Sequence, residues 1–242
     1  MVAGGGRGRG VPSPAVSDPL APTAELLRHA YRAGVFAMSE SRRDRRVDWY
    51  DPDPRGVIYL RDQDAPPGVR GFRVRRSLRQ ALARQPFDLR IDTCFARVID
   101  ECARPRPDLR EPEPETWISR PIRDAFIDLA AAGDAHCVEA WRDDRLVGGL
   151  YGVRVGGVFC GESMFSRVPF ASQACLVDLV ARLRSGGFGL LDTQFVNPHL
   201  AQFGAVAVPR ATYRRHLAEL RDRPARWPAR PLPPAHGGGR VP

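Results

Sequence analysis

The spacing of apolar residues along the chain predicts helices and strands in a mixed order. Apolar residues that recur every three or four positions predict amphipathic helices, and alternation of apolar and polar residues predicts strands. The helical spacing occurs in residues 23–33, 77–84, 93–103, 120–132 and 172–184. Extended patterns occur in residues 47–60, 87–91, 136–142, 145–155, 157–164 and 188–196. This order indicates a mixed α/β (α+β) fold, and the pattern alone supports no finer class.

Residues with strong preferences for helix ends and turns mark where several of these elements stop. Thr23 is a suitable N-cap and Gly34 a suitable C-cap for the first helix. Asp143-Asp144 and Gly156-Gly157 suit tight turns between strands. We therefore expect the three strands between residues 136 and 164 to form an antiparallel meander.

A polar segment rich in proline and glycine, from Asp62 to Gly71, predicts a domain boundary. We expect four parts: a flexible tail in residues 1–22, a small N-terminal α/β module in 23–68, a larger catalytic domain in 69–220, and a Pro/Arg-rich tail in 221–242. We find no internal repeat.

Length and composition set limits on the class of protein. A chain of 242 residues can bury an ample core without a metal or disulfides. The five cysteines are odd in number and lack CxxC spacing, which predicts reduced thiols and a cytoplasmic location. The first 22 residues contain no continuous apolar segment for secretion or membrane spanning. The histidines lack ligand spacing, so we expect no metal, and we expect no other cofactor.

The net charge of +9 is weak evidence for nucleic-acid binding, because about half of it lies in the two tails. Residues 1–22 contain two Arg and one Asp, and residues 221–242 contain five Arg and one Asp. A more local feature is a strip without acidic residues between Val69 and Phe87, which contains Arg73, Arg75, Arg76, Arg79 and Arg84. Such a strip is typical either of a surface that binds an RNA backbone or of an ordinary solvated surface.

Two of the predicted strands carry polar residues where the pattern is otherwise apolar. Glu162 and Ser163 interrupt an apolar run within residues 158–165. Asp192 and Gln194 lie two positions apart, so strand alternation places them on one face. Burying a carboxylate costs free energy unless hydrogen bonds or ion pairs compensate it, so these positions are candidates for a reaction site. The alternative is an aspartate that caps a neighbouring loop.

Several motifs resemble those of the leucyl/phenylalanyl-tRNA–protein transferases. They are Thr116-Trp117-Ile118-Ser119-Arg120, Trp141-Arg142, Leu146-Val147-Gly148-Gly149-Leu150-Tyr151-Gly152, Phe159–Arg167 and Leu191–Asn197. The resemblance extends from about Ala24 to Leu220. It implies a GNAT-like (acetyltransferase-like) larger domain. It also implies a monomeric enzyme that moves Leu or Phe, with Met as a further candidate, from aminoacyl-tRNA to proteins that begin with Arg or Lys and so marks them for degradation.

The resemblance also implies roles for the polar residues. An aminoacyl ester is already activated, so the reaction needs mainly positioning and proton handling. Gln194 is expected to accept a hydrogen bond from the attacking amine, and Asp192 to orient the Gln194 amide and favour loss of the amine's proton. Glu162 is expected to hold the donor's ammonium group or a cationic group of the acceptor. Its structural alternative is an ion pair with Arg167.

Trp117 matches a motif tryptophan of the family, and its ring would offer a stacking surface for the terminal adenosine of the tRNA. The other expected substrate contacts are Met38, Phe126, Phe159, Ser163, Met164, Phe165, Leu179 and Asn197. The apolar members suit a protein core as well as a pocket. A pocket of this kind would reject β-branched donors by roughly 1–3 kcal/mol. Met38 replaces a family tryptophan, and Gln173 stands where the family often has lysine.

Two rival functions follow from the same residues. The segment from Arg184 to Gly189 fits the spacing of an acyl-CoA phosphate loop, R-x-x-G-x-G, as an N-acyltransferase would have. Its glycines follow a predicted helix, however, whereas phosphate binding needs them to begin one. The second rival is a tRNA- or degron-binding module without catalysis. The changes at Met38 and Gln173 favour it, and the presence of the other motif residues opposes it.

Overall fold

The computed structural model of the chain describes residues 17–18, 21–104 and 116–228. Its helices are α1 (Ala24–Ala33), α2 (Arg76–Arg84), α3 (Phe95–Cys102), α4 (Arg120–Ala131), α5 (Ala171–Ser185), α6 (Pro198–Ala201) and α7 (Arg210–Leu220). Its strands are β1 (Ser17–Asp18), β2 (Phe36–Met38), β3 (Val47–Tyr50), β4 (Arg55–Tyr59), β5 (Asp88–Ile91), β6 (Ala135–Arg142), β7 (Arg145–Val155), β8 (Val158–Ser166), β9 (Leu190–Gln194) and β10 (Val206–Val208). The predicted mixed α/β class is confirmed.

The strands form a large sheet and a small one. The large sheet has seven strands in the order β10-β4-β9-β8-β7-β6-β5, and the small sheet has the order β1-β3-β2. All neighbours in the large sheet are antiparallel except β8 and β9, which are parallel and are connected through α5. The parallel pair places the carboxyl ends of two adjacent strands side by side.

Helices cover the large sheet and produce two apolar cores. One core contains buried residues of α1, α3 and α4, and the other contains those of α5 and α2. Successive residues of β7 reach different cores, because Tyr151 belongs to the first and Leu150 to the second. The sheet is therefore covered by apolar packing on both faces.

Local signals in the sequence explain the element ends that were predicted. The Thr23 hydroxyl accepts a hydrogen bond from the Leu26 amide at 3.1 Å, and Gly34 adopts a left-handed conformation with φ of 86°. The meander of β6, β7 and β8 is antiparallel, as expected. The short elements β2, β10 and α6 were not predicted, because three or four residues are too few to show a periodicity.

Parts of the predicted tails belong to the folded body. Strand β1 lies within the predicted N-terminal tail and pairs with β3, with Ser17 opposite Asp48. In the predicted C-terminal tail, Ala225 is buried and the Trp227 ring stacks on His136 at a centroid distance of 4.4 Å. The division of the chain into tails and domains stays a prediction. Residues 1–16, 19–20 and 229–242 of the two tails lie outside the described residues.

The boundary near residue 68 stays a prediction. Strand β4 precedes it, yet this strand lies inside the large sheet between β9 and β10. All five cysteines carry free thiols. Within residues 17–18, 21–104 and 116–228, no helix combines the length and the apolar character needed to cross a bilayer.

Candidate active site

A cavity of about 510 Å³ opens where β8 and β9 part. The two strands pair only from Val158–Leu190 to Cys160–Asp192, and β8 then continues along β7 alone. The cavity is lined by residues of β7, β8, α5 and β9 and of the segment that follows β9. Crevices at the carboxyl ends of adjacent parallel strands are common binding sites in sheets of this kind. The predicted polar positions thus come to one place.

Glu162 occupies a bulge in β8. Tyr151 pairs with Ser163 and Gly152 pairs with Gly161, so Glu162 has no partner residue on β7. Bulges redirect side chains and occur often beside active sites. Here the Glu162 carboxyl receives a hydrogen bond from Gln194, with 2.9 Å between Nε2 and Oε1. The bulge therefore lets a carboxyl of β8 reach an amide at the end of β9.

Gln194 has an unusual backbone conformation for a residue with a side chain. Its φ is 55°, in the left-handed region, and such conformations cluster at functional sites. The chain can turn here because the facing residue is Gly56. A Cβ atom at Gly56 would lie 2.6 Å from the carbonyl carbon of Phe195. The turn ends β9 and directs the Gln194 side chain towards Glu162.

Asp192 is completely buried and its carboxylate is fully engaged. Arg55 donates to both of its oxygens, at 2.9 Å from Nε and 2.7 Å from Nη2. The Tyr213 hydroxyl donates at 2.7 Å, and the backbone amide of Gln194 donates at 2.9 Å. Burial lowers the pKa of Arg55, and the stronger effect of Asp192 raises it, so the guanidinium stays charged. The pair forms a buried ion pair with further hydrogen bonds.

This geometry corrects the role expected for Asp192. The carboxylate holds the backbone of Gln194 and not its side-chain amide, which is bound by Glu162 instead. Asp192 is also absent from the residues that line the cavity, whereas Gln194 and Glu162 are present. Strand alternation predicted a shared face for Asp192 and Gln194, but the left-handed turn at Gln194 redirects its side chain.

The pKa of the Glu162 carboxyl is raised to about 8. Burial is the main cause and the charge of Asp192 adds to it, while Tyr31, Arg55 and Gln194 oppose the shift. An ion pair with Arg167, the alternative suggested by sequence, is not formed, because the Arg167 Nε donates to Glu101 at 2.8 Å. Burial thus favours the neutral form of the Glu162 carboxyl.

Five of the expected substrate contacts line the cavity, namely Ser163, Met164, Phe165, Leu179 and Asn197. The other four do not. Two of these four, Phe126 and Phe159, are core residues. Phe126 is completely buried between the rings of Tyr31 and Tyr151, at centroid distances of 6.2 and 5.3 Å. Phe159 is completely buried and stacks on Trp227 at 5.6 Å. Both belong to the apolar cores.

Trp117 and Met38 lie in neighbouring segments. The Ser39 amide donates to the Trp117 carbonyl at 3.2 Å, and the Ser39 hydroxyl donates to that of Ser119 at 2.9 Å. Trp117 and Met38 are both partly buried, and neither lines the cavity. Their contact with a terminal adenosine stays a prediction.

The arginine strip lies on α2 and on the segment before it. The side chains of Arg73, Arg75, Arg76, Arg79 and Arg84 are all exposed. None of them forms an ion pair with a residue in the described part of the chain. The strip is therefore available to a partner, and its role stays a prediction.

The segment that resembled an acyl-CoA phosphate loop ends a helix, as expected. Helix α5 ends at Ser185, Gly186 is its C-cap, and Gly187 follows with φ of 83°. The Arg184 side chain donates to the carbonyls of Leu60, at 2.6 Å, and Phe72, at 3.2 Å. The glycines do not begin a helix, so this segment lacks the converging amide groups that bind pyrophosphate.

Sequence reasoning missed three residues that shape the site. Arg55 and Tyr213 bind Asp192, and Tyr31 lies beside Glu162. Arg55 was one arginine among many, and Tyr31 belonged to the apolar face of α1. Only the pairing of distant strands and helices brings these residues to the site, and no local pattern shows that pairing.

An oriented amide, a carboxyl with a raised pKa and an apolar wall around one cavity suit a group-transfer enzyme that positions its substrates. Comparison with known proteins gives the particular family. The family described as leucyl/phenylalanyl-tRNA protein transferase matches residues 68–218. The chain belongs to this family.

Curated relatives named leucyl/phenylalanyl-tRNA–protein transferase match most of the chain. The relative from Paramagnetospirillum magneticum is 48% identical over 197 residues, which cover 81% of this chain and 88% of that one. Those from Ruegeria sp. and Phenylobacterium zucineum are 47% and 46% identical, and the matches cover 87% and 90% of this chain and 93% and 94% of theirs. The matches thus cover most of this chain and most of each relative.

A solved structure of a functionally unknown conserved protein from Staphylococcus epidermidis is only distantly similar. It is 10% identical with a TM-score of 0.39, and the match covers 76% of this chain and 64% of that one. A similarity of this size carries no argument about the fold.

Proposed function

We propose that the protein transfers Leu or Phe from aminoacyl-tRNA to the N-terminal α-amine of proteins that begin with Arg or Lys, and so marks them for degradation. Membership of the family supports the reaction class. The observation that carries the proposal is the Gln194 amide, which Glu162 holds in place at the surface of the cavity. Met as a donor belongs to the same proposal.

The apolar wall of the cavity accepts the side chain of the donor. It consists of Leu150, Met164, Leu176, Leu179 and Leu191, which come from β7, β8, α5 and β9. Such a wall stabilises an unbranched apolar side chain by burying it, at about 25 cal/mol per Å² of apolar surface removed from water. Hence Leu and Phe suit the cavity, and polar donors do not.

The Gln194 side chain positions the attacking amine. Its amide nitrogen donates to Glu162, so its carbonyl oxygen is free to accept a hydrogen bond from the amine. The pKa of an N-terminal amine is about 7.7–8.0, so a sizeable fraction is already nucleophilic at neutral pH. The amine nitrogen forms a bond to the ester carbonyl carbon and loses a proton. The bond from this carbon to the ribose oxygen breaks, and that oxygen gains a proton.

Asp192 supports this arrangement without touching the substrate. Its carboxylate accepts a hydrogen bond from the backbone amide of Gln194, and Arg55 and Tyr213 hold the carboxylate itself. Asp192 is therefore proposed as a positioning residue. Trp117 and Met38 are proposed to contact the terminal adenosine, and the arginine strip of α2 to contact the tRNA backbone.

The finer assignments from sequence belong to the same proposal. A GNAT-like larger domain is supported by one parallel strand pair within an otherwise antiparallel sheet, with α5 crossing between its strands. The division near residue 68, the monomeric state and a cytoplasmic location accompany it.

Two rival functions are opposed by specific observations. The acyl-CoA rival is opposed because the segment at Gly186–Gly187 ends a helix. The non-catalytic rival is opposed because Gln194 and Glu162 are hydrogen-bonded to each other, as a catalytic pair would require.

The test is a transfer assay read by mass spectrometry. The purified protein is incubated with Phe-tRNA, or with acetyl-CoA, and with a peptide that begins with Arg. We expect phenylalanine at the peptide's N-terminus. An added acetyl group would establish the acyl-CoA rival, and the absence of any addition would favour the binding module.

The Gln194→Ala variant tests the proposed chemistry. We expect kcat/KM for Phe transfer to fall by about 100-fold, because removing one positioned hydrogen-bonding group from a reaction site costs about that much or more. The matched control is Gln63→Ala, which removes an exposed glutamine and should leave the rate unchanged. A wild-type rate for Gln194→Ala would show that this amide has no part in the reaction.

A further inference from the structure

Two buried tyrosine hydroxyls beside the cavity lack hydrogen-bond partners. Tyr31 of α1 and Tyr151 of β7 are 1% and 0% exposed. The Tyr151 hydroxyl has no hydrogen-bond partner within the described ranges, and the Tyr31 hydroxyl has none with good geometry, although it lies close to the Glu162 carboxyl. Leaving a buried polar group unsatisfied costs about 1–3 kcal/mol, so such groups call for an explanation. Two of them in one place indicate a polar ligand group that the folded protein is built to receive.

Both hydroxyls lie around the Glu162 carboxyl. Burial raises the pKa of Tyr31 and of Tyr151, and for each of them the charge of Glu162 raises it further. The Phe126 ring packs against both tyrosine rings and fixes their positions. Tyr151 also lines the cavity. Both hydroxyls are therefore electrostatic neighbours of Glu162, and Glu162 and Tyr151 form part of the cavity wall.

The Glu162 carboxyl has capacity for a further partner. Gln194 donates to Oε1, which leaves Oε2 to a ligand. Oε2 and the two phenolic oxygens can each accept a hydrogen bond, and both phenols lie in the neighbourhood of Glu162. A primary ammonium group has three N–H donors and no acceptor, so it satisfies all three oxygens at once.

We propose that Tyr31, Tyr151 and Glu162 form an ammonium cradle that holds the α-ammonium group of the donor amino acid. This inference rests on the proposed function and adds the two tyrosines to its substrate-binding residues. The donor is then held at both sides of its Cα atom. The apolar wall takes the side chain, and the cradle takes the ammonium group.

Position along the strands favours the donor over the acceptor. Tyr151 and Glu162 line the same cavity as Leu150 and Met164 of the apolar wall, so the cradle adjoins that wall. The α-ammonium and the side chain of one amino acid are attached to the same carbon, which matches this proximity. An acceptor would bring either a planar guanidinium or a compact ammonium, and one cradle does not fit both. The α-ammonium, in contrast, is common to Leu and Phe.

A comparison of two donors with two variants tests the cradle. The donors are Phe-tRNA and 3-phenylpropionyl-tRNA, which lacks only the amino group, and the variants are Tyr151→Phe and Tyr31→Phe. We expect each variant to lower kcat/KM for Phe-tRNA by about 10-fold, since a hydrogen bond to a charged group is lost. With 3-phenylpropionyl-tRNA, the change should be below about 2-fold.

The control variant is Tyr59→Phe, whose hydroxyl bonds to His216 at 3.1 Å and not to the cavity. It should affect neither donor. Without substrate, Tyr151→Phe should keep the thermal stability of the wild type, because the hydroxyl that it removes has no partner. Equal losses with both donors would overturn the cradle and show a structural role. A raised KM for the acceptor peptide alone would assign the site to the acceptor.

A binding measurement separates this inference from the proposed reaction. The probes are stable 3′-amide adenosine conjugates of phenylalanine and of 3-phenylpropionate. We expect wild type to bind the phenylalanine conjugate at least about 10-fold more tightly, and Tyr151→Phe to lose most of this preference. If the transfer assay failed while this preference was present, the proposed function would be disproved and the cradle would still be supported. Equal binding of both probes would remove the cradle.

Discussion

At the scale of single residues, the site separates two functions that the sequence had assigned to neighbouring side chains. The carboxylate of Asp192 accepts hydrogen bonds from Arg55, Tyr213 and the backbone of Gln194. Gln194 and Glu162 line the cavity and bind each other. We propose that the first group fixes the geometry and that the second contacts the substrate.

Asp192→Asn should destabilise the protein strongly. The variant leaves the buried Arg55 without a counter-charge, and breaking a buried ion pair in this way costs about 3–5 kcal/mol. Urea denaturation measures the free energy of unfolding. The control is Asp124→Asn, which removes an exposed partner of Arg123 and should have no measurable effect. A variant as stable as wild type but without transfer activity would instead indicate a direct role in proton transfer.

Glu162 should make the stability depend on pH. Its pKa is about 8 in the folded protein, against an ordinary value of 4.5, so the folded state binds more protons than the unfolded state between these values. Stability from this group is greatest below pH 4.5 and falls as pH rises towards 8. The melting temperature of wild type relative to Glu162→Gln should therefore fall between about pH 5 and 8.

The matched control for this measurement is Glu25→Gln, which replaces an exposed carboxyl of α1. Its melting temperature relative to wild type should not change in the way that Glu162→Gln does. A difference between wild type and Glu162→Gln that is flat across this range would mean that the carboxyl is charged in the folded state at all these pH values.

At the scale of elements, helices α1 to α5 and the meander followed from the sequence, because burial of one face imposes a period that is visible locally, whereas the 11-residue α7 was not predicted. Helix α1 and strands β6 to β8 are examples. The bulge at Glu162 and the left-handed turn at Gln194 were not predictable in this way. They depend on which strands pair and in which register, and that is decided by contacts between distant residues.

The same reason explains which site residues were found. Glu162 and Gln194 interrupt apolar strands, so the sequence marks them. Phe126 and Phe159 match an apolar pocket and an apolar core equally well, and only packing against Tyr151 and Trp227 decides between these. Resemblance to a family indicates that a position matters. It does not say which of its neighbours the side chain touches.

Gly56→Ala should disturb the end of β9. An added methyl group would lie 2.6 Å from the carbonyl carbon of Phe195 and 2.9 Å from the Thr193 hydroxyl oxygen. Overpacking of this kind costs about 1–3 kcal/mol, and it should displace Gln194 and lower kcat. Thermal melting and transfer kinetics measure both effects.

Gly161→Ala is the control for thermal stability, because its methyl group would meet Leu191 at an ordinary 3.5 Å. It should melt close to wild type. If Gly56→Ala kept the stability and kcat of wild type, the left-handed turn would not depend on the glycine that faces it.

At the scale of the whole molecule, charge is expected to act through one surface. The exposed strip on α2 lies outside the cavity, and its arginines have no ion-pair partner in the part of the chain that the structure describes. Long-range attraction of a polyanion needs such uncompensated charge. The strip should therefore determine tRNA affinity and not the chemistry.

The double variant Arg79→Gln/Arg84→Gln should weaken tRNA binding and flatten its dependence on salt. Each lost phosphate contact lowers the slope of log K against log salt concentration by roughly 0.7–0.9. Filter binding at several salt concentrations measures this slope. The control is Arg32→Gln/Arg221→Gln, two arginines that lie near Asp222. Equal slopes for both double variants would exclude α2 as a tRNA-binding surface.

The buried pair of Arg55 and Asp192 also determines when the protein can fold during its synthesis. The two residues are 137 positions apart, and ribosomes add about 5–20 residues per second, so Arg55 waits roughly 7–27 s for its partner. Until Asp192 leaves the exit tunnel, the guanidinium has no counter-charge and stays hydrated. The core around Arg55 therefore cannot form from the N-terminal half of the nascent chain alone. The cavity forms only once the last quarter of the chain, which contains Asp192, has been translated.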